Sequence, residues 1–337
     1  MKSSIRLVLS LFVILGLWQN GVAQTFSGGG GPIPDTNVPF VFELNVKGLP
    51  AEINTTFGLE SVCVNINHTW DKDLSIYLQA PDGAVVDLAR RNGKGDDNYT
   101  NTCFSMNAET SINDGSPPFS GNYLPETAMG GINNGQNPNG TWKLVIVDTY
   151  PFEESGKLLN WKLKFSKNPA KPFPFTESEL PIVVIKSLDN VILDEPKVKA
   201  RFGIIDNGPG KPNKVTDEWN NFDGYVGIEI RGKSSQRFSK LSYGFETRDS
   251  TGEKVKNVKL LDFSKDNDFI LSANYVDKSL LRNYMAYTLW GEMGNWTPHM
   301  RFVNLVMDGE YRGVYMLMEK IKRGKHRVNT VSYTHLR

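Results

Sequence analysis

The apolar positions of this chain recur mostly at a period of two. Over residues 40–165, short runs such as VCVNI, LSIYLQA, AVVDLA, TWKLVIVD and LNWKLKF carry β-branched and aromatic residues at strand lengths, separated by Gly, Asn, Asp and Pro. No sustained 3.6-residue period interrupts them, so this stretch is expected to be an all-β, jelly-roll-like sandwich or a barrel. Residues 167–179, KNPAKPFPFTESE, follow with three prolines that disfavour both helix and central strand, and they mark a linker. Beyond it LPIVVIKS and VKARFGIID read as strands, 206–221 as a polar insertion, and 225–247 as strand, loop and strand. Residues 279–293, SLLRNYMAYTLWGEM, have helical apolar spacing, with Asp277 or Ser279 as cap and Gly294 as stop. Strands near 302–307 and 314–318 then flank a turn at Asp308 and Gly309. A sheet with one helix makes residues 180–329 an expected α+β unit.

Length supports two units, since 337 residues exceed the usual single-domain size. Residues 1–23 read as a secretory signal peptide: Lys2 and Arg6, then LVLSLFVILGLW, then Gly21, Val22 and Ala23. That apolar run is too short to span a bilayer, so no membrane span is expected after cleavage. The glycine-rich segment 24–39, containing SGGGGPIP, is expected to be flexible. Loss of Lys2 and Arg6 leaves acids and bases nearly balanced, which excludes a nucleic-acid footprint. The only cysteines are Cys63 and Cys103, and in an exported protein the even count favours a disulfide over two buried thiols.

Acidic loop residues offer a candidate cation site. Asp71 with Asp73, and Asp96 with Asp97, could surround calcium, or could serve local turn bonding. The segments HTWDKDLSIYLQAPDGAVVDL, GKGDDNYTNTCF, SGNYLPE, NGQNPNGTWKLVIVD and GKLLNWKLKF occur in an order that resembles the P/Homo B domain of subtilisin-like proprotein convertases. The resemblance covers about 40–166 and implies a β-sandwich that stabilises an adjoining protease. The chain has no G-x-S-x-G elbow, and His68, His299, His326 and His335 each read as structural or surface residues.

The turn Arg231, Gly232, Lys233, Ser234, Ser235 could cradle phosphate, since amides and hydroxyls donate while Arg and Lys neutralise charge. The blocks GYVGIEIRGKSSQRFSKLSYGFET, DFILSANYVDKSLLRNYMAYTLWGEMG and RFVNLVMDGEYRGVYMLMEKIKR resemble the CotH-type spore-coat protein kinase family. The resemblance implies a kinase-like N-lobe and ATP-dependent phosphorylation of Ser or Thr on secreted or surface proteins, with Mg or Mn. Arg231, Gly232, Ser234 and Ser235 match its R-G-x-S-S turn, which would lie over the phosphates; a tight hairpin is the plain alternative. Lys240 is expected at the α and β phosphates or as a solvated strand lysine. The family usually carries a second lysine where this chain has Leu241. Arg282 could reach a phosphate or pair with Asp277, and backbone groups near Met318 and Glu319 are expected to meet adenine or to lie in a buried edge strand.

Both carboxylates needed for phosphoryl transfer are expected beyond Arg337, and 330–337 break the family pattern, so the chain reads as an inactive fragment. Three readings follow: an exported CotH-type kinase fragment with an accessory P domain; a non-catalytic surface or adhesion protein; and a module accessory to a subtilisin-like serine endopeptidase.

Overall fold

The computed structural model describes residues 23–93, 95–150 and 156–329. The signal-peptide and foreign-tail expectations, and His335, therefore lie outside the described residues, apart from Ala23 of the former.

The first half contains β1 (Gln24–Gly28), β2 (Gly31–Ile33), β3 (Phe40–Val46), β4 (Gly58–Asn67), β5 (Leu74–Gln79), β6 (Val85–Arg90), β7 (Tyr99–Ser105), β8 (Gly121–Tyr123), β9 (Gly140–Asp148) and β10 (Gly156–Ser166). One sheet has the order β1-β10-β4-β7-β8, with β2 also on β10, and the other has the order β3-β9-β5-β6. Inward residues from both sheets, among them Val62, Val64, Ile76, Leu78, Trp142, Leu144, Trp161 and Leu163, form one buried core. The period-two pattern of the sequence is the inside face of this sandwich. Cys63 lies opposite Cys103 across β4 and β7, and the two form a disulfide.

The glycine-rich segment departs from expectation. Gln24–Gly28 pairs antiparallel with β10 from Gln24 opposite Phe165 to Gly28 opposite Trp161. The free edge of β10 supplies backbone partners, which override the flexible composition. At Gly28 a Cβ would fall 2.1 Å from the Trp161 indole, so a glycine is needed for this close approach.

The second half contains β11 (Glu177–Ser178), β12 (Ile182–Lys186), β13 (Val198–Ile205), β14 (Asn213–Lys214), β15 (Phe222–Arg231), β16 (Ser242–Arg248), β17 (Asp268–Ser272), α1 (Arg282–Glu292), β18 (Met300–Met307) and β19 (Glu310–Glu319). Seven of these strands close into a barrel in the order β12-β13-β15-β16-β17-β19-β18, sealed by parallel pairing of β12 with β18. Alternate residues such as Phe202, Ile228, Phe245, Phe269, Leu305 and Leu317 fill it. The expected strands, hairpins and helix all form, yet the unit is mostly β, with α1 as its single α-helix among the described residues. That helix packs Tyr287 beside Ile270, Met316 and Met318 on the outer barrel face and leaves Met285, Leu289 and Trp290 exposed. No described helix is long and apolar enough to cross a membrane.

The two halves share a packed interface. Val191 and Leu193 cover Tyr77, Val85, Val145 and Val147 on the outer face of the β3-β9-β5-β6 sheet. This explains why β9 reads as a continuous apolar run: both its faces are covered. The proline-rich linker is also packed, with the Ala170 amide donating to Leu59 O at 2.9 Å and Phe175 stacked on Tyr311 at 4.2 Å.

Candidate functional site

Strand β15 ends at Arg231 and the chain reverses through Gly232, whose φ of +107° suits glycine. Ser234–Arg237 then form a 3-10 turn. The turn is held from within: Ser235 Oγ donates to Arg231 O at 3.5 Å, Gln236 Nε2 to Gly232 O, and Arg237 Nε to Ser234 O at 3.3 Å. Arg231, Lys233, Ser234 and Arg237 face solvent. Among the described residues none of the three cations has a carboxylate partner within ion-pair distance, whereas most other arginines of the second half do. An exposed turn with three positive charges that no described carboxylate compensates, and with the Ser234 hydroxyl, attracts an anion.

The segment after the turn is tied to the loop that leads into α1. Phe238 stacks on Tyr275 at 5.1 Å, Ser239 Oγ donates to the Tyr275 hydroxyl at 3.2 Å, and the Ala273 amide donates to Ser242 Oγ at 3.0 Å. Asp277 accepts from Ser279 N, Ser279 Oγ and Arg282 N at 3.1, 2.7 and 2.8 Å, and thereby caps the start of α1. These bonds, led by the Arg282 amide, hold its carboxyl below the ordinary aspartate value. The Arg282 side chain lies 3.6 Å from Asp277 Oδ1 yet is 84% exposed, so it remains available to a ligand. The turn and Arg282 thus flank one end of the barrel.

Lys240 turns away from that surface. Its Nζ donates to Val314 O at 2.5 Å and lies 4.5 Å from the centre of the Tyr315 ring, and burial lowers its pKa below the usual lysine value. It lines a cavity of about 240 Å³ at the interface, together with Arg312, Tyr243 and, from the sandwich, Asp87 and Glu126. Leu241, where the related family carries a second lysine, is buried in the barrel core.

Met318 and Glu319 lie toward the other end. Arg231 pairs with Ser242, and the same level of the sheet continues to Ser272 and Met316, so Met318 is two residues further along. Strand β19 is central, flanked by β17 and β18, and the Glu319 amide donates to His299 O at 3.2 Å. The Glu319 carboxylate is fully buried and engaged by Arg327 and by His299, at 3.0 Å for the latter.

The four acidic residues of the sandwich loops separate into two groups. Asp73 lies near Asp148 and His68, and His68 Nε2 donates to Asp148 Oδ2 at 3.1 Å while its Nδ1 accepts from the Trp70 amide. Asp71 instead faces Asp96 and Asp97, whose charges act on it. Sequence reading missed Arg90, which bridges Asp87 and Glu126 and donates to Ser239 O at 3.3 Å, so that the sandwich touches the segment beside the turn. Its partners are remote in sequence, and no local pattern marks them.

Comparison with known proteins places two similarities on this geometry. Residues 60–165 match the family model of the proprotein convertase P-domain, and 228–335 match that of the CotH kinase protein. The chain is 28% identical over 153 residues to leupeptin-inactivating enzyme 1 of Streptomyces exfoliatus, covering 41% of this chain and 28% of that protein. It is 27% identical over 96 residues to inner spore coat protein H of Bacillus subtilis, covering 28% of this chain and 24% of that protein. Among solved structures, Aeromonas sobria serine protease in complex with the chaperone ORF2 aligns at 15% identity with a TM-score of 0.26, covering 43% of this chain and 26% of that one. The chain thus joins a stretch similar to the proprotein convertase P-domain to a following stretch similar to the CotH kinase protein family.

Proposed function

We propose that this chain forms the nucleotide-contacting part of an exported, CotH-type protein kinase that phosphorylates Ser or Thr on secreted or surface proteins, with the sandwich as an accessory unit. The observation that carries this reading is the exposed Arg231 to Ser235 turn, with Arg231, Lys233 and Arg237 uncompensated among the described residues, inside the CotH-matching stretch. ATP would supply the transferred phosphoryl group, with Mg or Mn neutralising its charge. Arg231 is assigned to grip phosphate oxygens, the Gly232 to Ser235 amides and the Ser234 hydroxyl to donate to them, and Arg282 to approach from the start of α1.

On this reading the barrel with α1 corresponds to a kinase N-lobe. Lys240 is then a positioning residue, because its amine is committed to Val314 O and the Tyr315 ring. The Cys63–Cys103 disulfide supports an oxidising, extracytoplasmic setting.

The test is ATP binding by the full chain with Mg or Mn, read by calorimetry and by thermal shift. Saturable binding that Arg231→Ala weakens at least about tenfold, a change of about 1.4 kcal/mol, is expected, with the melting temperature of the free variant unchanged. Wild-type protein that shows neither heat nor shift overturns the assignment of the turn.

A further inference from the structure

No residue of 231–240 is buried, and the first to be enclosed after the turn is Leu241. The limb that leads back from the turn runs between two clefts at the junction of the halves. One, of about 320 Å³, is lined by Gln236 and Leu241 together with Arg90 and Tyr77 of the sandwich; the other, of about 240 Å³, is lined by Ser239, Lys240 and Leu241 together with Asp87 and Glu126. Packing therefore does little to place this limb, and a few directed bonds decide its position.

Three anchors hold it. Two come from the barrel half: Tyr275 meets the Phe238 ring and the Ser239 hydroxyl, and Val314 O accepts from the Lys240 amine. The third crosses from the sandwich, where Arg90 Nη2 donates to Ser239 O at 3.3 Å. Among the described residues no other donor reaches that carbonyl. Arg90 is itself fixed: its side chain is 7% exposed, with Nε 3.3 Å from Asp87 and Nη2 3.2 Å from Glu126. Glu126 is fixed in turn, Oε1 accepting from Asn92 Nδ2 and Oε2 from Asn113 Nδ2, both at 3.0 Å. A planar guanidinium held in this way presents its donor in one direction.

We propose that Arg90 is a positioning residue for the Arg231 to Ser235 turn, so that the sandwich sets the conformation of the anion site as well as packing against the barrel. The inference rests on the nucleotide reading above for what the turn binds, and not for how the turn is held. Without Arg90, Ser239 O faces solvent and the limb gains conformations other than the 3-10 turn of Ser234–Arg237. A phosphate ligand must then reorder the limb on binding, which lowers its affinity. Lysine in place of Arg90 keeps the positive charge beside Asp87 and Glu126, but as a point donor on a flexible stem it cannot serve Glu126 and Ser239 O in one fixed geometry.

The Phe238 amide reports on the limb, since it donates to Ser235 O at 3.1 Å across the turn. The experiment is hydrogen exchange of the full chain followed at this amide, with ATP affinity measured by calorimetry in magnesium on the same samples. Arg90→Lys should speed Phe238 exchange by about tenfold, the scale of one lost hydrogen bond to a charged group, and should weaken ATP binding several-fold. Glu126→Gln, which loosens the hold on Arg90 from inside the sandwich, should shift exchange the same way, and it decides the matter where Arg90→Lys does not fold. Replacing Cys63 and Cys103 by Ser destabilises the sandwich without touching Ser239 and should leave Phe238 exchange as in wild type, which separates positioning from general stability. Phe238 exchange that Arg90→Lys and Glu126→Gln leave unchanged, or that the cysteine variant speeds equally, overturns the proposal. Wild type that binds no ATP while Arg90→Lys still speeds Phe238 exchange upholds the role of Arg90 and overturns the nucleotide reading alone.

Discussion

Glu310 Oε2 accepts the amide of Gly131 at 2.8 Å, which joins the first residue of β19 to the sandwich. The other oxygen accepts the Phe173 amide at 3.0 Å, so one buried carboxylate serves the barrel, the sandwich and the linker together. Glu310→Ala leaves the enclosed Gly131 amide unmet, at a cost of about 1–3 kcal/mol, and removes the acceptor of the part-buried Phe173 amide. Urea denaturation should show a loss of about 2–4 kcal/mol; a loss under about 0.5 kcal/mol, typical of a surface change, would mean that the halves do not depend on this contact.

Gly131 tests the same junction by sterics. An added Cβ would lie 2.9 Å from Asp308 O, Gly309 C and Glu310 N, all backbone atoms that cannot step aside. Gly131→Ala should cost about 1–3 kcal/mol, whereas Gly29→Ala, with nothing within 4 Å of the new carbon, serves as control. Equal melting temperatures for the two variants would contradict the packing described.

Asp308 makes the junction sensitive to pH. Burial pushes its carboxyl up to about 6, opposed by hydrogen bonds from Ser187 N and Oγ, by the charge of Arg312 and by the Val85 amide. A raised carboxyl pKa means that the folded state holds its proton more tightly. The stability it contributes is therefore fully present below about pH 4 and is lost as pH rises through about 6. Followed by urea midpoint from acid to neutral pH, wild type should lose stability relative to Asp308→Asn across this window. A difference that does not change with pH counts against the assignment.

The disulfide closes a loop with a sequence separation of 40. Replacing Cys63 and Cys103 together by Ser should lower stability by about 2–4 kcal/mol, and reduction of the wild type should lower its melting temperature to match. A melting temperature that does not respond to reductant would show that the cross-link adds nothing.

Glu319 and Arg327 form a fully buried ion pair. Glu319→Gln leaves the arginine enclosed with Asp266, at 3.6 Å, as its remaining carboxylate among the described residues, and should cost about 3–5 kcal/mol. Chemical denaturation checks this, and a near-neutral change would mean that water reaches Arg327.

Much of the local structure was legible. Strands β4, β5, β6, β9 and β10, the hairpin of β15 and β16, and α1 all follow from periods of two or of 3.6 in the apolar residues. The turn at Gly232 was also legible, because a positive φ and a tight reversal need that residue. Harder to see were Gln24–Gly28, whose composition argues against a strand, and Leu241, whose neighbours suggest a polar surface but whose side chain fills the barrel. Lys240, read as a phosphate contact or a solvated lysine, is partly enclosed, because β19 and the sandwich close over it.

The sequence by itself determined which segments become strands, which of their faces are apolar, where the chain turns and which two cysteines are available to pair. Those properties depend on residues a few positions apart. Tertiary structure alone decided that β12 closes the barrel on β18, that the outer face of β9 is covered by Val191 and Leu193, and that Asp71 and Asp73 face different partners. Periodicity specifies a face but not its neighbour. Burial and charge pairing depend on residues brought together from more than a hundred positions away, as Glu310 is to Gly131 with a separation of 179.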